Sequence, residues 1–223
     1  MRTLLAATTV ALVTGSATAD MTGIDFRSYS VTAADFGGAE VTVNVIDLYI
    51  VSNDANDVLL NVYNLDYDFG TTNFFQSATS TGWLAQNAGG IFDNDALQVA
   101  DSFVTIGGFG ADGRQTPGAG AGTGLDPNFG GNTAAAPGAL AGWYNGSPPS
   151  LNGAVMDYDA ISSAVLIGRF TSTDAMALGL TSLEVTWNQG LGTGGQQAEF
   201  IFPTPGAMAL FGVAGLATRR RRG

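Results

Sequence analysis

Whatever chemistry this chain does has to be done by carboxylates. Its 223 residues include no histidine, cysteine or lysine. That excludes a Ser-His-Asp triad, a thiolate nucleophile, a Schiff-base lysine and an imidazole-ligated metal. Two pairs of acids stand two residues apart, Asp66 with Asp68 and Asp157 with Asp159. In an extended segment each pair shares one face. Glycoside hydrolysis needs two carboxylates about 5 to 9.5 Å apart, and strand neighbours meet the lower figure. Tyr67 and Tyr158 would then point to the opposite face, away from any sugar held between the acids. Solvated acids on strand edges are the simpler reading, and a glycoside hydrolase ranks third among the functions considered.

Two oxygen-rich turns invite a different chemistry. Asp54, Asn56 and Asp57 fall in one, and Asp93, Asn94 and Asp95 in the other. Ca²⁺ takes six to eight oxygens at about 2.3 to 2.6 Å, so either turn is a candidate site for calcium, although no cofactor is otherwise expected. Neither has the glycine and distal glutamate of an EF-hand loop. Asp and Asn are also ordinary turn residues, bonding to nearby backbone. Among the aromatics, Trp83, Trp187 and the Trp143-Tyr144 pair could offer sugar rings a platform. Trp187 alternates with Leu183 and Val185, which marks it as core. Trp143 and Tyr144, in a Gly-rich stretch ahead of Pro148 and Pro149, are the better candidates for exposure; they are expected to pin that stretch to the body, with glycan contact as the alternative.

The elements that must position these residues read as strands. Val41, Val43 and Val45 alternate, and from Ile46 the phase moves to Ile46, Leu48 and Ile50, the signature of a bulge. The turn formers of 52–57 follow, then a strand pattern over 58–63, which predicts a hairpin between the two runs. Further strands are expected at 101–106, 164–171, 183–188 and 198–202, each bounded by Gly, Asn, Asp or Ser. No amphipathic helix of three turns appears; 83–88 and 172–177 each have the length of one turn. Residues 107–150 form a long Gly-rich connection, expected to be pinned at 125–129 and 142–149 and mobile at 112–124. The fold class is therefore all-β, an antiparallel β-sandwich or jelly-roll-like domain, residues 20–202.

The two ends read differently. Arg2 precedes an apolar run over 4–13, and Ala17 and Ala19 form the small-x-small pattern cut by signal peptidase, leaving Asp20 as the new N-terminus. The C-terminal end, 203–223, has three parts: Pro203, Thr204, Pro205 and Gly206; an apolar stretch; and Arg219, Arg220, Arg221 and Arg222. Apolar character from Phe200 to Thr218 gives a transmembrane helix of roughly 28 Å, just short of a hydrocarbon core of about 30 Å. The arginine cluster holds its end in the cytoplasm, so the body lies outside. Between the ends, Arg27, Arg114 and Arg169 face 19 acids, a formal charge of −16. Such a surface repels phosphate backbones and anionic lipid, which excludes nucleic acid as a partner.

The tripartite C-terminal end resembles the PEP-CTERM sorting signal of Gram-negative-type bacteria, with Thr204 where the family's motif has glutamate. The resemblance implies export, transient inner-membrane anchoring by the helix, handling by an exosortase-like enzyme, and a place at the cell surface or in the extracellular matrix with exopolysaccharide. It implies no activity. Five blocks, 47–49, 59–64, 101–107, 125–129 and 142–145, resemble stretches that recur in secreted bacterial proteins with the same kind of tag. The expected function is thus an exported, non-catalytic surface or matrix protein. The alternative is a glycan- or calcium-dependent binding module.

Overall fold

The computed structural model describes residues 20–85, 89–179 and 181–202. The expected signal segment, with Ala17 and Ala19, and the sorting tag, with Pro203, Thr204, Pro205, Gly206, Arg219, Arg220, Arg221 and Arg222, lie outside the described residues. Among those residues no helix is long and apolar enough to cross a membrane.

The chain is all-β, as its periodicity requires. Strands β1 (Met21–Ala34), β2 (Glu40–Ser52) and β3 (Val58–Asp66) come first, followed by a one-turn helix α1 (Asp95–Val99). After it come β4 (Phe103–Val104), β5 (Thr123–Leu125), β6 (Ala141–Asn145), β7 (Ala164–Ser172), β8 (Thr181–Asn188) and β9 (Gln196–Phe202). They form two antiparallel sheets, one in the order β1-β2-β7-β4 and the other β5-β6-β3-β8-β9. One apolar cluster draws on both: Ile46, Leu48, Ile50, Val165, Ile167 and Phe170 from the first, and Leu59, Val62, Leu65, Trp143, Val185 and Trp187 from the second. Apolar burial of this extent is the dominant favourable contribution to folding.

Several sequence expectations change in the structure. The runs at 41–50 and 58–63 are strands but not a hairpin, because β2 has both edges taken by β1 and β7 while β3 lies in the other sheet. The turn between them carries the chain from one sheet to the other. The change of phase at Ile46 is not a bulge in β2 either, since its register with β1 runs unbroken from Gly23 to Ala34. It records burial on both faces, with Val43, Val45 and Tyr49 covered on one side and Ile46, Leu48 and Ile50 on the other. The irregularity sits across the ladder, where Leu48 pairs Gly168 and Tyr49 pairs Leu166, leaving Ile167 as the extra residue of β7.

Strand β1 escaped the pattern because it is an edge strand whose residues are mostly exposed or half-buried. Phe200, Ile201 and Phe202 end β9, so the C-terminal apolar run begins as a strand. The expected turns of helix at 83–88 and 172–177 do not form among the described residues; Leu84 bridges Val104, and Ser172 closes β7. The helix that does form starts at Asn94, whose Oδ1 accepts from Leu97 N–H at 2.8 Å, a side-chain N-cap. It seats Ala96 and Ala100 against Val43 and Val45. Residues 112–124 fold back onto the body: Gln115 and Ala119 are buried, and Thr123 begins β5. The 125–129 segment is pinned as expected, with Phe129 buried 5.7 Å from the Trp83 ring.

Candidate functional site

The two candidate calcium turns spend their side chains locally. Asp54 Oδ1 accepts from Asn56 N–H and from Asn56 Nδ2, both at 2.8 Å. Asp57 turns inward, where its Oδ2 accepts from Ser52 Oγ at 2.6 Å and its buried Oδ1 has no hydrogen-bond partner among the described residues. Burial raises its carboxyl above the ordinary value, with the Asp54 charge adding to the rise and the Ser52 bond opposing it. In the second turn Asn94 caps α1, Asp93 Oδ2 accepts from Gln98 Nε2 at 2.9 Å, and Asp95 is exposed in the helix's first turn, 3.9 Å from Arg114. Among the described residues no three acidic side chains gather to hold a metal ion. Asp20, the expected new N-terminus, donates its backbone N–H to Asn53 Oδ1 at 2.9 Å.

The paired carboxylates part company. Asp68 lines a groove of about 630 Å³ with Asp174, Asn73 and Tyr67, while Asp66 lines another of about 250 Å³ with Glu184 and Glu199. In the first, Asp68 Oδ1 accepts from Gly70 N–H and closes its own turn, while Asp174 Oδ2 accepts from Asn73 Nδ2 and ties together two segments distant in the chain. Asp157 likewise accepts from Ser163 N–H at 2.9 Å. Tyr158 points inward between its exposed neighbours, its hydroxyl accepting from Leu166 N–H.

Trp143 and Tyr144 separate by the two-residue period of β6. Trp143 faces the core at 1% exposure and its indole N–H donates to Thr105 O at 2.9 Å, so it offers no surface to a sugar. Tyr144 faces out, 45% exposed, on the outer side of the five-stranded sheet. Its ring lies against Gly124 of β5, where a Cβ would fall 2.7 Å from the ring, so only glycine leaves the aromatic in place. Register continues the row across the sheet from Tyr144 through Asn61 and Thr186 to Gln197. The next row runs Tyr63, Glu184, Glu199. Asn61 Oδ1 accepts from Thr186 Oγ1 at 2.6 Å and Asn64 Nδ2 donates to Glu184 Oε1 at 2.6 Å, so the polar groups of this face are held in order. The result is one fixed ring beside rows of hydrogen-bonding side chains, open to solvent.

Sequence reasoning missed the buried polar groups of the other sheet. Asp47 and Arg169, cross-strand partners, pair through two bonds, Nε to Oδ1 at 2.7 Å and Nη2 to Oδ2 at 3.1 Å. Arg169 Nη1 reaches the carbonyls of Gln98 and Val99 at the end of α1, and Tyr29 donates its hydroxyl to Asp47. Burial and the adjacent Asp47 charge hold the Tyr29 phenol well above its ordinary value. Nearby Asp101, fully buried, accepts from Ser77 N–H at 2.8 Å, Ser80 Oγ at 3.0 Å and Gln115 Nε2 at 3.4 Å. Burial pushes its carboxyl up to about 7 against the pull of those donors. The one available signal was an acid or arginine inside an otherwise apolar strand run, at Asp47 and Arg169. Comparison with protein-family models, with curated proteins and with solved structures returns no match.

Proposed function

We propose that this chain is an exported, non-catalytic protein of the cell surface or extracellular matrix. Its residues 20–202 make an acidic β-sandwich, delivered by terminal signals read by signal peptidase and an exosortase-like enzyme, and it works by contact with exopolysaccharide. The sandwich reading is supported by the one apolar cluster shared by both sheets. The observation that carries the contact is the outer face of the five-stranded sheet, where Tyr144 is exposed in its glycine cradle beside Asn61, Thr186, Glu184 and Glu199. An aromatic face flanked by ordered hydrogen-bonding groups matches the alternation of apolar and hydroxyl surface on a sugar chain.

Affinity electrophoresis in gels containing soluble polysaccharide tests the contact. The wild-type domain should be retarded, and Tyr144→Ala should lose most of the retardation with its melting temperature unchanged. Free migration of the wild type across neutral and acidic polysaccharides, or equal retardation of both proteins, overturns this surface. Delivery is checked by mass spectrometry of envelope, medium and polysaccharide fractions, where a product beginning at Asp20 is expected; a cytosolic product retaining Met1 and Gly223 rejects it.

A further inference from the structure

Between the ends the sequence supplies three basic residues, Arg27, Arg114 and Arg169, against 19 acids. They are far apart in the chain, yet all three line one cavity of about 240 Å³ on the outer side of the four-stranded sheet. From the geometry we infer that this cavity is a binding site for the carboxylate of a small organic acid, one sugar-acid ring in size. This goes beyond the polysaccharide contact, which lies on the other sheet.

The cavity arises because β1, β2 and β7 align Arg27, Asp47 and Arg169 in one cross-strand row, and the end of α1 with the Gly-rich segment packs over the Arg169 end of it. Arg169 is the floor, its charge balanced by Asp47. The two outer guanidiniums are less committed. Arg27 has no carboxylate at ion-pair distance among the described residues and sits 4.9 Å over the Tyr29 ring instead. Arg114 gives Nη2 to Gln98 Oε1 and has Asp95 only at 3.9 Å, with the Arg114 side chain 41% and the Asp95 side chain 69% exposed. An exposed pair at that separation contributes little and is readily exchanged for another anion. Asp112, the one acid in the lining, turns its Oδ1 to the Arg114 backbone N–H at 3.2 Å.

Two arginines in the lining of one space suit a planar carboxylate, which a guanidinium can bond bidentately. Tyr29, Val31 and Val99 supply apolar wall for the carbon skeleton behind it. The volume lies below the range of about 300–1,000 Å³ usual for drug-sized ligands, which limits the occupant to one ring or a short chain. In a domain of formal charge −16, the three arginines that line this cavity make it the place where an anion meets the least repulsion.

Titration calorimetry and chemical-shift mapping with glucuronate, glucose and inorganic phosphate test the assignment. Glucuronate should bind, with shifts at Arg27, Tyr29 and Arg114, and glucose, the same ring without the charge, should not. Arg27→Gln and Arg114→Gln should each weaken binding about ten-fold or more, as loss of a charge-assisted bond requires, with melting temperatures near wild type. Absence of glucuronate binding, binding indifferent to both substitutions, or preference for phosphate overturns the assignment. Tyr144→Ala should leave glucuronate binding unchanged, so this site and the polysaccharide face fail or stand separately.

Discussion

At the scale of single residues the domain buries a few charged groups, Asp47, Asp57, Asp101 and Arg169. Asp47 and Arg169 are both almost fully buried, and each satisfies the other, so removing one strands a charge that the fold has desolvated. Among the described residues Asp101 has no cation at ion-pair distance, and it is held by three neutral donors. Its carboxyl is pushed up to about 7 by burial, above the ordinary value near 3.8. Between those values the native state holds a proton that the unfolded chain has lost. Asp101 therefore contributes stability below the ordinary value, and that contribution is lost as pH rises toward 7. Asp101→Asn should remove this slope, so that its melting temperature relative to wild type climbs between pH 4 and pH 7. Thermal melts of both proteins across that range check it, and a parallel pair of curves would refute it. The partners were not legible beforehand, since Asp47 and Arg169 stand 122 residues apart and sequence pattern does not say which buried acid meets which donor.

At the scale of elements, β6 shows how one strand separates structure from surface. The period of two sends Trp143 into the core and Tyr144 out, and the sequence marked the pair without saying which faced where. Trp143 packs 6.3 Å from Phe129 and bonds Thr105, so Trp143→Ala should cost about 3–5 kcal/mol of stability, seen as a lower denaturation midpoint, and Tyr144→Ala almost none. A Trp143→Ala protein as stable as wild type would contradict the assignment of faces. The strands with strong alternation, β8 above all, were readable in advance because one side of them is buried. Strand β1 was not, because an edge strand with much of its surface in solvent needs little apolar pattern. Helix α1 is five residues long, too short for its period to register, and only the Asn94 cap betrays it.

At the scale of the molecule, residues 20–202 set 3 arginines against 19 acids, and most of that charge repels itself. Self-repulsion opposes the compact state and is screened as the Debye length falls from about 30 Å at 0.01 M salt to about 3 Å at 1 M. The melting temperature should therefore rise by several degrees over that range, which differential scanning calorimetry would measure; a fall would mean that specific ion pairs outweigh the net charge. Composition alone determined this property. It also determined the restriction to oxygen chemistry, and alternation determined the all-β class, because both depend on which residues are present and on their local spacing. Which strands share a sheet, that β2 and β3 part after an apparent hairpin turn, and that three scattered arginines meet in one cavity were decided only by the tertiary structure. Those are contacts between distant parts of the chain, chosen by competition among many apolar strands of similar pattern, and no local spacing records the winner.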